Sequence, residues 1–188
     1  MVKRIVIFAS GAGSNAENII QHFRGNSRVC IAGICSNNAN SGVLKIADCH
    51  GIERFVFSKE ELTGSSKVDD FLTQADPDLI VLAGFLLKFP ERLVSRYEGC
   101  VINLHPSLLP KYGGKGMYGQ RVHEAVVAAG ECESGITIHY INNQYDEGAI
   151  IEQFTCGLSR ADTPISVQKK IKKLEGLYFP KTIEKLLT

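Results

Sequence analysis

No stretch of this chain is apolar for the ~20 residues that a membrane-spanning helix needs. Behind Met1-Val2-Lys3-Arg4 only residues 5–9 are continuously apolar before Ser10-Gly11, too short a run for a signal peptide. Charge of one sign is missing as well: 21 Lys+Arg stand against 20 Asp+Glu, a net charge of +1, so no overall field draws the protein to nucleic acid or to anionic lipid. Any anionic ligand must be held locally, and neither a nucleic-acid nor a membrane partner is expected. The six cysteines, at positions 30, 35, 49, 100, 132 and 156, include no Cys-x-x-Cys pair, and none of the five histidines has metal-ligand spacing. No metal site is expected, and single reduced thiols fit a cytoplasmic location. Internal repeats, linkers and low-complexity segments are also lacking. With 188 residues, 44% of them hydrophobic and 22% charged, the chain is expected to fold as one domain spanning residues 1–188.

What is present alternates between two periodicities. Residues 2–9, 29–35, 54–57, 79–83 and 100–104 are short apolar, largely β-branched runs that read as strands. Between them, helical patterns cover residues 14–23, 42–49, 67–74 and 90–97. Continuous apolar strands need both faces covered, so the pattern predicts an α/β, Rossmann-like, mostly parallel sheet with helices on both faces and ligands beyond the strands' C-terminal ends. Residues 111–119, with Gly113, Gly114, Gly116 and Gly119, read as a mobile loop, and residues 122–129 as a helix. Two further strands, 135–141 and 149–154, flank a polar turn. Thr163 caps and Pro164 opens a last helix that reaches residue 187 with a kink at Pro180.

Gly11-x-Gly13-x-x-Ala16 follows the first strand and opens the first helix, an arrangement that turns backbone N–H groups and a helix N-terminus toward a phosphate. The same residues also suit a tight turn with Ser14 or Asn15 as helix cap, which needs no ligand. The second strand ends Ser36-Asn37-Asn38 without the carboxylate that would bind a dinucleotide's ribose. No Gly-Lys-Ser/Thr follows the loop, and Ser14 lacks the second glycine of a nucleophile elbow. A monophosphate cradle remains.

Asn103 and His105 lie two apart at a strand end and so point to one face, where an amide N–H and an imidazolium stabilise an oxyanion. Either residue alone also serves to satisfy local backbone groups. Asp146 lies in the polar turn after a later strand. If it reaches His105 it would hold the ring and accept or relay the proton lost by an attacking amine; otherwise Asp146-Glu147-Gly148 is only a turn.

Five blocks occur in order: Ser10-Gly11-Ala12-Gly13-Ser14-Asn15, Ala83-Gly84-Phe85, Asn103-Leu104-His105-Pro106-Ser107-Leu108-Leu109-Pro110, Gly135-Ile136-Thr137-Ile138-His139 and Asp146-Glu147-Gly148. Together they resemble the folate-dependent formyltransferases, and among them the branch that formylates glycinamide ribonucleotide in purine biosynthesis. The resemblance covers practically the whole chain. It implies a formyltransferase-type fold and transfer of the formyl group of 10-formyltetrahydrofolate, a co-substrate, to the substrate's primary amine by direct attack. On that resemblance Asn103 and His105 stabilise the oxyanion, and Asp146 assists proton transfer. Gly13, Ser14 and Asn15 hold the ribotide phosphate, Glu175 meets the amine, and Lys67 lies near the anionic ends of the ligands. Phe85, Leu86, Leu87, Lys88 and Phe89, with the turn carrying Asn142 and Asn143, receive the pteridine. His139, in the same strand as Thr137, supports the site from behind, while His22, His50 and His123 are read as surface or packing residues. The sequence departs from the family pattern at Leu87-Lys88, at Lys172-Lys173 and in the long 113–119 loop.

Two alternatives stay open. One is a formyltransferase of amino-sugar nucleotides, whose core is similar. The other is a non-catalytic phosphometabolite-binding module, against which the intact Asn103, His105 and Asp146 argue. Formyltetrahydrofolate hydrolases and methionyl-tRNA formyltransferases are expected to carry a further domain that this chain, opening on a strand and closing on a helix, is not expected to have. Small molecules are the expected partners, and the protein is expected to be a monomer or homodimer. The basic run Lys169, Lys170, Lys172 and Lys173 is expected to be a solvated helix face.

Overall fold

The computed structural model describes residues 1–188, which divide into two compact units, residues 1–102 with 187–188 and residues 103–186. The first holds β1 (Lys3–Phe8), α1 (Ser14–His22), β2 (Val29–Ser36), α2 (Gly42–His50), β3 (Arg54–Val56), α3 (Lys59–Gly64), α4 (Lys67–Ala75), β4 (Leu79–Leu82) and α5 (Glu91–Arg96). Strand β5 (Val101–His105) begins in the first unit and ends in the second, which continues with α6 (Gln120–Ala128), β6 (Glu133–Tyr140), β7 (Ile150–Gly157) and α7 (Pro164–Leu187). The strands form one seven-stranded sheet in the order β3-β2-β1-β4-β5-β6-β7. Strand β1 is parallel to β2 and β4, β2 is parallel to β3, and β6 and β7 are antiparallel.

Ile5, Val6, Ile7 and Phe8 of β1 are wholly buried, as a central parallel strand covered on both faces requires. The ring of Phe8 meets Phe85 and Phe89 edge-on, with centroids 5.5 and 5.3 Å away. The end of β1 is tied to its neighbours: Ser10 N–H donates to the Gly84 carbonyl, and the Ser10 hydroxyl donates to Asn37 Oδ1 at 2.6 Å while accepting from Leu86 N–H. The strand edge therefore holds its three loops by hydrogen bonds.

Two details differ from the sequence expectation. Helix α3 was not anticipated, although Ser58 and Glu61 spell its capping box: Glu61 N–H donates to Ser58 Oγ, and Ser58 N–H to the Glu61 carboxylate. Leu62 is its one buried residue, too little for an apolar period to register, so only the cap announces this helix. Helix α1 is capped by neither Ser14 nor Asn15. Its N-cap is Gly13, at φ 83°, without a side-chain cap, because the helix starts one residue earlier than that reading required. Helix α7 is continuous with Pro180 inside it, and Thr163 caps it as expected, its hydroxyl accepting from Ser166 N–H while Ser166 Oγ accepts from Thr163 N–H. All six cysteines are free thiols, and no helix is long and apolar enough to cross a membrane.

Candidate active site

In the second unit, β5 carries Asn103 and His105, and β6 carries Thr137 and His139, two apart on each strand and thus on one face of each. Thr137 is fully buried and acts as a joint: its hydroxyl donates to the Ser107 carbonyl at 2.7 Å and accepts from Leu109 N–H and Gln153 Nε2. The Pro106–Pro110 segment that leaves β5 is therefore pinned to β6.

The Asn103 amide donates to His139 Nε2 at 3.1 Å, and His139 Nδ1 faces the Tyr140 carbonyl at 2.8 Å. A carbonyl only accepts, so Nδ1 carries the hydrogen and Nε2 offers a lone pair to Asn103. Burial holds the His139 ring below the ordinary histidine range, only partly opposed by the Tyr140 carbonyl and Asp146, so the ring is neutral at pH 7. That neutral tautomer fixes which end of the Asn103 amide faces it and leaves the second amide N–H to be given elsewhere. Between Ile138 and His139 the register with β7 shifts, a bulge of the kind that re-aims side chains beside functional sites.

His105 is 3% exposed. Its Nε2–H donates to the Tyr112 carbonyl at 2.8 Å, and Nδ1 lies 3.5 Å from Asp146 Oδ2. Asp146 Oδ1 lies 3.7 Å from His139 Nε2, so one carboxylate faces both rings. Asp146 sits at φ 57°, a left-handed conformation that aspartate tolerates better than most side chains, and its Oδ2 accepts from Gly114 N–H at 2.9 Å. Gly113 passes so close that a Cβ there would lie 2.5 Å from Leu109 Cδ2 and 3.2 Å from Asp146 Cβ. Thus residues 111–119 form no regular element, yet Tyr112 and Gly114 are bonded into the cluster. His105 and Asp146 are brought together, and His139 faces both Asp146 and Asn103.

Sequence reasoning missed the Tyr112 carbonyl and the Gly114 N–H, since main-chain groups leave no mark in residue identity. His123, read as surface or packing, is a packing residue. His123 is 3% exposed on α6, with Nδ1 unpartnered and its ring held low first by burial, then by Lys172 and His105.

The other expected residues have local surroundings of their own. In the first unit Gly13 is crowded: a Cβ would lie 2.8 Å from Val43 Cα and Ile46 Cδ1, because the loop packs on α2 and Val43 N–H donates to the Gly11 carbonyl. Ser14 is exposed and Asn15 half-buried at the start of α1. Lys67 is exposed on α4 and bonded to Glu61. Phe89 is buried against Phe8, Phe85 and Leu87 are half-buried, and Leu86 and Lys88 are exposed. In the second unit Glu175 is half-buried on α7. Asn142 and Asn143 are exposed, and Asn142 Oδ1 accepts from Gln144 N–H in an Asx turn. No group of three or more His, Cys, Asp or Glu has a metal-holding arrangement.

A seven-stranded α/β sheet whose β5 end carries a carboxamide and an imidazole, the latter facing a carboxylate, has the groups that oxyanion stabilisation and proton transfer call for. Residues 3–183 match the formyl transferase family, to which this chain belongs. It is similar to the chloroplastic phosphoribosylglycinamide formyltransferase of Vigna unguiculata, at 34% identity over 98% of this chain and 61% of that one. To the phosphoribosylglycinamide formyltransferase of Haemophilus influenzae it is 31% identical, over 97% of this chain and 86% of that one. The chain thus spans about three fifths of the plant relative's length. The crystal structure of phosphoribosylglycinamide formyltransferase from Anaplasma phagocytophilum superposes with a TM-score of 0.89 at 34% identity, covering 98% of this chain and 86% of that one.

Proposed function

We propose that the protein transfers the formyl group of 10-formyltetrahydrofolate to the primary amine of 5'-phosphoribosylglycinamide, in de novo purine biosynthesis. The observation that carries this reading is the Asp146 carboxylate facing His105 Nδ1 at 3.5 Å, beside an Asn103 amide whose orientation His139 fixes.

In this reaction the amine attacks the formyl carbon, a C–N bond forms, and the carbonyl oxygen becomes an oxyanion. The free N–H of Asn103 and the His105 ring stabilise that charge, in a buried setting where hydrogen bonds to a developing charge are worth most. Asp146 holds the His105 ring and takes up the proton the amine loses. As the bond to N10 of the folate breaks, that proton passes to N10, so the step balances without a covalent enzyme intermediate.

Gly13, Ser14 and Asn15 hold the ribotide phosphate. The positive φ of Gly13 and the absence of a side-chain cap on α1 support this, since first-turn N–H groups suit an anion. Glu175 meets the amine and Lys67 the anionic ends of the ligands. Phe85, Leu86, Leu87, Lys88 and Phe89, with Asn142 and Asn143, take the pteridine. Residues 1–188 work as one formyltransferase domain in the cytoplasm, a location that six free thiols support.

The test is a formyl-transfer assay that follows loss of the formylated pterin with glycinamide ribonucleotide, with amino-sugar nucleotides, and with no amine. Turnover only with the ribotide is the expected result. Turnover with a sugar nucleotide, or loss of the formyl group without any amine, overturns the substrate assignment.

A further inference from the structure

The His105 Nε2–H is held by a main-chain group, the Tyr112 carbonyl, so whatever holds that carbonyl also orients the ring. Tyr112 sits at φ 56°, a conformation that a bulky residue keeps only where its surroundings hold it. One such hold lies at the other end of the side chain. The phenol donates to Glu131 Oε1 at 2.8 Å, in the turn between α6 and β6, and Lys111 Nζ donates to the same oxygen at 2.9 Å. Lys111, then Tyr112, holds the Glu131 carboxyl below its usual range, so Glu131 is an anion at neutral pH. The preceding backbone is fixed too, with the Lys111 carbonyl accepting from Ser107 Oγ at 2.7 Å. Two residues beyond Tyr112, Gly114 N–H meets Asp146 Oδ2. One three-residue strap therefore touches His105 at Nε2 and Asp146 at Oδ2, and it is anchored from outside the cluster by Glu131.

We infer that Tyr112 and Glu131 are positioning residues: the phenol–carboxylate bond locks the strap so that its carbonyl keeps the His105 Nε2–H in a hydrogen bond and Nδ1 turned to Asp146. Both act through the strap. Their role rests on the formyl-transfer reading for its kinetic consequence, whereas the hydrogen bond at Nε2 can be read without any substrate.

Tyr112→Phe removes only the hydroxyl, and Glu131→Gln keeps a carbonyl acceptor in place. Tyr112→Phe and Glu131→Ala are expected to lower kcat about tenfold while leaving KM for both substrates within about twofold, as a misaligned catalytic group does. Glu131→Gln is expected to recover most of that loss. In protein labelled with 15N-histidine, with His105 assigned from its absence in His105→Gln, the wild-type ring is expected to show an Nε2–H held in a hydrogen bond, and Tyr112→Phe and Glu131→Ala a displaced Nε2 resonance. Circular dichroism checks that each variant is folded. An Nε2 resonance unchanged in both variants overturns the inference whatever happens to kcat, and so does a displaced one with wild-type kcat. If wild type transfers no formyl group, the function reading fails, while the nitrogen spectra still decide whether Glu131 and Tyr112 set the ring.

Discussion

At the scale of single residues the site depends on matching donors to acceptors around buried rings. His139 is neutral because burial disfavours its charge, and a neutral ring has the lone pair that Asn103 needs. His105 spends one nitrogen on a carbonyl and keeps the other toward Asp146. Asp146→Asn replaces an anion by a neutral amide of the same shape, and His105→Ala removes the ring. Each is expected to cut kcat by about 10²- to 10⁴-fold, the range for lost acid–base and oxyanion assistance. Ribotide affinity, measured by calorimetry, is expected to stay within a few-fold, since neither residue is assigned to the phosphate. Wild-type turnover in either variant removes that residue from its role.

At the scale of elements, the two glycines of the loop after β1 do different work. Gly13 has both a left-handed backbone and no room for a Cβ against Val43 and Ile46 of α2, whereas a Cβ on Gly11 meets nothing within 4 Å. Gly13→Ala should destabilise the protein by about 2–5 kcal/mol, combining backbone strain with overpacking. Gly11→Ala should stay within about 0.5 kcal/mol of wild type. Urea unfolding of the pair checks this, and equal effects would mean that α2 does not press on the loop as described. The same comparison separates legible from illegible elements. Strands β1, β2, β4 and β5 and helices α1, α2 and α4 carry enough apolar residues for their pattern to reveal them. Helix α3 is marked by its cap alone.

At the scale of the whole molecule, titratable groups favour stability near neutral pH. His139 and His123 have folded pKa values lowered mainly by burial, so below about 6.5 the unfolded chain binds more protons and stability begins to fall. Asp78, beside Lys3, and Glu152, beside Lys185, are held low by their hydrogen bonds; their contribution is present above about 4.5 and is lost as pH drops further. On the alkaline side, burial raises the Cys35 thiol, so its contribution is lost as pH rises past the ordinary thiol value of 9.0. Melting temperature should therefore fall in two stages on acidification from pH 8 to 3. A rise between pH 7 and 5.5 would contradict the neutral, buried state of the two histidines.

The amino-acid order alone determined the alternation of strand and helix, the glycine loop after β1, and the pair Asn103 and His105 on one face of a strand end. Each of these rests on local rules: side-chain period, backbone freedom and spacing. Tertiary structure decided the rest. Asp146 meets His105 from 41 residues away in sequence, His139 orients Asn103, and the groups that complete the pattern at His105 and Asp146 are a carbonyl and an amide N–H of residues 112 and 114. Every residue but proline carries those main-chain groups, so no choice of side chain reports which carbonyl will lie against which ring; only the folded path of the backbone does.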